Sequence, residues 1–533
     1  MRGSRSGRAT VVARVAASSA SCTLTPGRRL PDRSGGFNLD VERAWPSLSG
    51  RRVGRLVRSL PLFVLFLAAL VLRLGQQHSA LIYPDGYQYL LMARGISEHL
   101  QPTTGLGSGG DRFVPNPDAA LKPFFPLLVA AFHTSGVSWL RAAQGVTATA
   151  GAATVAATAL LATRVGRSRV AGCAAGLLVL ASPNVAFWSG FSGPDPLAQA
   201  LALCAAVTFV DRRERLGGIL TGFAIVTRPE IVLVAAVAGI LARRDPRTRV
   251  PARRAALAAV ATVASVFAVL RPPVSVHDPK LMALLVLAST VLGAVLLLGK
   301  APSGRVPFTV LAWAALATSV GALLVSPGLV EVARGDWPLA GLALAGAVVL
   351  LRDASRRSAT ALVVTAALLL GAVYVLKNAA LERYFALELP LAAVLAGAAT
   401  ATLGRRGRPL AAGVVAIAVV VGIFHPIRGS RDRDVFSVIG ASLKGTLAPR
   451  ETLLTAAPDA YGFWLPGQPV RALRVGAHGM VLLDAAQRAY APELTARGTV
   501  VKRVSGSVAF ARPDGQLDAR PAVLLRGSVA LRR

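Results

Sequence analysis

The chain has 533 residues, 53% of them hydrophobic and only 16% charged, and its mean hydropathy is +0.55. A soluble protein of this size is seldom so apolar, and here the apolar residues come in repeated long runs, so the class is integral membrane with many spans. The net charge of +33 does not signal nucleic acid: all but six of the 59 basic residues are Arg, and most cluster in short links between apolar runs, the placement that positive-inside topology and anionic lipid favour.

The three cysteines, Cys22, Cys173 and Cys204, have neither metal-ligand spacing nor the pattern of a disulfide framework. The six histidines are scattered, without a His/Glu pair at ligand spacing. There is no G-x-S-x-G, no P-loop and no dinucleotide fingerprint, so hydrolase, ATPase and dinucleotide readings lack support. The bias toward Ala, Arg, Val and Gly points to a GC-rich bacterial genome.

Residues 1–50 are rich in Arg, Ser and Gly and have no apolar period, which predicts a disordered, basic cytoplasmic tail. An over-extended start site would share that composition. A transit peptide fits less well, because Asp32, Asp40 and Glu42 follow soon after. The first span is "LPLFVLFLAALVLRL", Leu60 to Leu74, lengthened by its flanks from Val57 to Gln76, with "RRVGRLVR" holding the N-terminus inside. The next long apolar run begins near Leu121, so residues 75–120 form a large outer loop.

Basic links recur at 163–169, 211–215, 243–254, 300–305, 352–357 and 404–408. If all face the cytoplasm, outer turns fall at "WSGFSGPDP", "TRPE", "RPPVSVHDPK", "SPGLVEVARGDW" and "KNAALERY". A last span at about 409–424 then exits outward, for roughly thirteen spans in an all-α membrane domain covering residues 55–424. From His425 the pattern changes to short Val- and Leu-rich runs broken by Pro, Gly and Asp. Residues 425–533 are predicted to form a small extracytoplasmic α/β or β-rich domain.

Five features carry candidate chemistry. "PDGYQYLLMARGI" opens a helix at Asp85, and Tyr89, four residues on, shares its face. An N-cap explains Asp85 as readily as a functional acid does, but ionisable groups at a membrane face are functional candidates by default. Lys122, in "NPDAALKPFFPLL", is either a snorkelling lysine or a point charge for a lipid phosphate. Asp195 starts a helix at an outer turn, as a cap or as a second acid toward the same cavity. Arg228 and Glu230 stand between two short apolar segments, which suits a broken helical pair lining a cavity or a local Arg228–Glu230 salt bridge. Arg383 and Tyr384 stand at the mouth of a later span, as phosphate ligands or interface anchors.

The order of these features resembles a known family. Asp85, Gly86, Tyr89, Ala93 and Arg94 follow the first span. Lys122, Pro123 and Pro126 follow in the same loop, then Gly136, Trp139 and Arg141. After them come S-P-N and G-P-D, the hairpin G-x-x-x-x-T-R-P-E and a late R-Y-F…P. Over about residues 55–425 the chain resembles GT-C type integral membrane glycosyltransferases, and is similar to the protein O-mannosyltransferase and lipid A aminoarabinose transferase groups. The resemblance implies transfer of a sugar from a polyprenyl-phosphate-linked donor on the outer face, with no nucleotide and no nucleic acid involved. It makes Asp85 the general base, and Lys122 and Arg383 the contacts of the donor phosphate. Two departures stand out: Gly86 replaces the second acid of the mannosyltransferases, which leaves a divalent metal an open question, and Phe124 and Phe125 stand where a second proline often follows the lysine.

The implied chemistry is self-consistent. Inverting transfer needs a base on the acceptor hydroxyl and stabilisation of the leaving phosphate, which one carboxylate and two cations supply. Two other classes compete. A transporter or flippase of a lipid-linked glycan predicts related halves and charges near the midplane, and no internal repeat is visible. A non-catalytic envelope assembly protein predicts that the outer domain matters and Asp85 does not. Sugar and envelope acceptor are not legible in the sequence.

Overall fold

The computed structural model describes residues 60–75, 84–103, 121–232, 234–235, 246–271, 336–353, 388–402, 435–504, 510–511, 517–518 and 522–532, with short helical pieces between 360 and 420. The basic tail, the rest of the 75–120 loop, residues 272–280 of the next turn, most of the turn before Trp337, and Arg383 and Tyr384 lie outside the described residues.

Apolar runs become helices of a bundle. They are α1 Leu60–Gly75, α2 Pro84–His99, α3 Phe124–His133, α4 Trp139–Gly166, α5 Arg169–Ala181, α6 Pro183–Ser189, α7 Asp195–Val210, α8 Glu214–Thr227, α9 Pro246–Leu270, α10 Trp337–Arg352 and α11 Leu389–Thr400. Among the described residues α4 and Val250–Leu270 of α9 are each long and apolar enough to cross a membrane. α5 and α6 pass that test together, with a bend of 63° between them. Five of the other helices, α1, α3, α7, α10 and α11, are shorter and apolar.

The bend has a local cause and a distant repair. Pro183 has no N–H to give the carbonyl of Val179, four residues back, so the helix breaks there. Ser182 caps the new start, its Oγ accepting from Val185 N at 3.2 Å. The loosened carbonyls meet Arg73 of α1. Its guanidinium is fully buried and donates to Val179 O at 3.4 Å and Leu180 O at 3.2 Å. In a dry interior a freed carbonyl needs such a donor.

Small residues let the helices approach. A Cβ built on Gly218 of α8 would lie 2.2 Å from Ala255 O of α9, and one on Gly222 would lie 2.7 Å from Ala259 O. On Gly397 of α11 it would lie 2.4 Å from Ala171 O of α5. Membrane helices pack through such small-residue contacts because lipid offers no hydrophobic drive for them to associate.

The C-terminal part holds α12 Val435–Leu443, β1 Leu453–Thr455, α13 Pro458–Trp464, β2 Val470–Ala472, β3 His478–Leu483, α14 Ala485–Tyr490, β4 Leu494–Val504, β5 Phe510–Ala511, β6 Leu517–Asp518 and β7 Ala522–Leu531. Five strands form a mixed sheet in the order β2-β1-β3-β7-β4, and β5 pairs with β6 separately. β1 runs parallel to β2 and β3, while β7 is antiparallel to β3 and β4. Strand alternation gives the sheet two apolar faces. Met480 and Leu482 join a core with α2 and α3, and Val481 between them faces a smaller cluster with Leu473 and Val529. Bundle and sheet belong to one unit, Ser59–Arg533. The chain is a mostly helical membrane protein with a small sheet.

Candidate functional site

The site lies where the bundle meets the sheet. α2, which opens at Pro84 with Asp85 in its first turn, is the piece between them. Residues Gly86 to Ala93 are all buried, through two full turns. A helix is buried all round only when something packs on both sides. Tyr87 and Tyr89 show the two sides, since residues two apart point about 200° away from each other around a helix. Tyr89 meets the edge of Phe125 in α3, with ring centroids 5.9 Å apart. Tyr87 turns to the sheet domain, where Trp464 Nε1 donates to its Oη at 2.6 Å. Arg94 adds a contact on that side, its guanidinium carbon 5.1 Å from the ring centroid of Phe463.

Lys122 is half-buried and precedes α3 by one residue, Pro123. The two phenylalanines after it place that segment. Phe125 holds Tyr89 of α2, and Phe124 stacks on Phe223 of α8 with centroids 4.4 Å apart. Phe223 lies one turn before Thr227, where α8 ends at Arg228. The Lys122 segment therefore bridges the Asp85 helix and the Arg228 turn.

At that turn the structure brings together Asp195, Arg228 and Glu230. The guanidinium of Arg228, 4% exposed, forms an ion pair with the carboxylate of Asp195 and reaches Glu230 Oε1 at 3.9 Å. The geometry follows from the hairpin: α7 starts at Asp195, α8 returns antiparallel, and both termini fall at one end. The pairing with Asp195, 33 residues away, adds to the local Arg228–Glu230 pair read from sequence. Two carboxylates around one guanidinium carry a net formal charge of −1.

Sequence reasoning missed other polar groups. Asn184, just after the bend, donates through Nδ2 to Oδ2 of the buried Asp336 at 2.8 Å. Asp336 is the acid of "VARGDW", just before α10, and an acid there was the available signal. Tyr87 and Trp464 were missed as well, since aromatics in apolar surroundings give no sign of a polar pairing. Within the sheet domain Asp484 is buried, accepts from Tyr461 Oη and from Gln487 N at 2.9 Å, and so caps α14. Burial pushes its carboxyl above the usual carboxylate range, against the pull of the Tyr461 bond. Among the described residues no group of three or more His, Cys, Asp or Glu is placed to hold a metal ion.

The sequence matches no protein-family model and no curated protein. Solved structures are similar in fold. ArnT from Cupriavidus metallidurans bound to undecaprenyl phosphate superposes with a TM-score of 0.53 at 14% identity, covering 88% of this chain and 98% of that one. The Archaeoglobus fulgidus oligosaccharyltransferase in its apo form gives 0.54 at 13% identity, over 77% of this chain and 64% of that one. AglB from the same organism, in complex with an inhibitory peptide and a dolichol-phosphate, gives 0.52 at 13% identity, over 76% and 63%. At these identities the likeness is one of fold.

Proposed function

We propose that this chain, with its GT-C fold, transfers a sugar from a polyprenyl-phosphate-linked donor to an acceptor at the outer face of the membrane. The observation that carries the reading is the packing of the Asp85 helix and the Lys122 segment against one another, through Tyr89 and Phe125, at the end of the bundle that meets the sheet domain. Two neighbours of the same fold hold lipid phosphates, undecaprenyl phosphate in ArnT and a dolichol-phosphate in AglB, which supports a donor of that class.

In this reading Asp85 takes the proton from the acceptor hydroxyl as that oxygen attacks the anomeric carbon. The bond from that carbon to the phosphate oxygen breaks, and the lipid phosphate leaves as an anion. Lys122 and Arg383 hold the phosphate, with Tyr384 beside Arg383. The Asp195, Arg228 and Glu230 cluster shapes the adjoining wall. The transferred unit is a hexose or pentose. The full topology has about thirteen spans over residues 55–424, with a basic cytoplasmic tail at 1–50, a large outer loop at 75–120 and an extracytoplasmic domain at 425–533. Loss of a positioned base lowers the rate by about 10²–10⁴-fold.

The test is the envelope glycan and lipid profile of a deletion strain, complemented with wild type or with Asp85→Asn at equal membrane abundance. Only wild type is expected to restore the missing sugar. Full restoration by the Asn variant would remove Asp85 from the chemistry.

A further inference from the structure

α2 is held from the sheet side by a hydrogen bond inside an aromatic cage. Tyr87 is completely buried, with its ring 5.4 Å from that of Phe463 and 5.5 Å from that of Phe436, and its Oη takes the Trp464 N–H. Tyr87 stands two residues after Asp85. Trp464 is itself anchored: one turn earlier in α13, Tyr461 donates to Asp484, whose carboxylate also caps α14 against the sheet. A continuous series of directed contacts thus runs from the sheet, through α13, to the start of α2.

Apolar packing alone would not need these groups. Two apolar side chains could fill the same space, but without direction. A half-buried indole N–H that donates to a buried phenol oxygen fixes how α2 is rotated and how far it slides. α2 by itself lacks a strong reason to stay put: it has 16 residues, begins Pro-Asp-Gly, and shows no broad apolar stripe, so its order depends on tertiary contacts.

We propose that Tyr87 and Trp464 are a positioning pair through which the C-terminal domain sets the place of the first turn of α2, and with it Asp85. This rests on the reading of Asp85 as the base. It gives the sheet domain a part in catalysis without contact with donor or acceptor.

The experiment uses the full chain in lipid nanodiscs as wild type, Trp464→Phe, Tyr87→Phe, the double variant, Asp85→Asn and Val481→Ala. Val481 is buried on the other face of the sheet, so its truncation weakens the domain without touching the pair. The first readout is hydrogen exchange over residues 84–99, which needs no substrate. Exchange there is expected to rise about tenfold in Trp464→Phe and in Tyr87→Phe, and to stay unchanged in Val481→Ala. The second readout is transfer from the polyprenyl-phosphate-sugar fraction that the deletion strain accumulates. Each single variant is expected to lose about tenfold in kcat with donor KM unchanged, and the double variant no more than either single. Unchanged exchange over 84–99 in both single variants would overturn the proposal, as would raised exchange with unchanged kcat. If wild type transfers no sugar, or Asp85→Asn transfers as well as wild type, the reading of the reaction fails, while the exchange result still decides whether the pair holds the helix.

Discussion

Arg228 offers a strong test of the buried architecture. It is 4% exposed, and its partners Asp195 and Glu230 are 15% and 12% exposed at the side chain. The Glu230 contact at 3.9 Å is worth about 4 kcal/mol of Coulomb attraction at an effective dielectric constant near 20, and the Asp195 contact is closer. Most of that attraction is offset by desolvation, so the measurable quantity is the effect of removing one partner. Arg228→Met leaves two largely buried carboxylates without their cation, which costs about 3–5 kcal/mol. Asp195→Asn keeps an oxygen to accept from the guanidinium and leaves Glu230 in place, so it costs less, about 1–2 kcal/mol. Because both singles break the same contact, the double variant is expected to cost less than their sum by about 1–3 kcal/mol. Equilibrium unfolding in mixed detergent micelles, followed by helical circular dichroism, measures all three. An Arg228→Met cost below about 1 kcal/mol, or strict additivity, would refute the claim that this cluster locks the ends of α7 and α8.

Other expectations follow from single sites. Gly397→Ala forces a Cβ to 2.4 Å from Ala171 O and is expected to destabilise by about 1–3 kcal/mol, whereas Gly341→Ala, with nothing within 4 Å, should be neutral or slightly stabilising in the same melts. Arg73→Met removes the donors to Val179 and Leu180, and a loss of about 1–3 kcal/mol is expected, read as earlier thermal unfolding in detergent. Asp484 has a folded pKa above its unfolded one, so the folded state binds its proton more tightly. Its contribution to stability is therefore present at low pH and is lost as pH rises from the unfolded value through the folded value. Asp484→Asn, which keeps one acceptor oxygen and cannot ionise, should flatten that slope. Protection of β3 against hydrogen exchange, measured from about pH 4 to about pH 8, checks it, and an equally steep slope in the variant would assign the dependence elsewhere.

Much of the helical architecture is written locally. The apolar run Leu60 to Leu74 becomes a helix at Leu60–Gly75, and the Pro-adjacent acids Asp85 and Asp195 fall in the first turns of their helices. The basic links at 163–169 and 211–215 become tight turns with Arg167 and Arg212 at positive φ. Each depends on residues within a turn or two of one another: hydrophobic runs, helix-start chemistry and breakers act over that range. The change of pattern after His425 likewise signalled short strands, because alternation and turn residues are local too.

What tertiary structure alone decided is who meets whom. Arg228 takes Asp195 as well as its near neighbour Glu230 because antiparallel helices bring distant ends together. Arg73 serves carbonyls 106 and 107 residues away, and Asn184 finds Asp336 across 152 residues. β7, last in the chain, enters the sheet between β3 and β4. Tyr87 and Trp464, 377 residues apart, read in the sequence as two ordinary apolar aromatics. A buried polar group must find a partner, but its residue type does not say which one. That choice is made by the close approach of helices at their glycines and of the sheet to α2, which no local window of sequence contains.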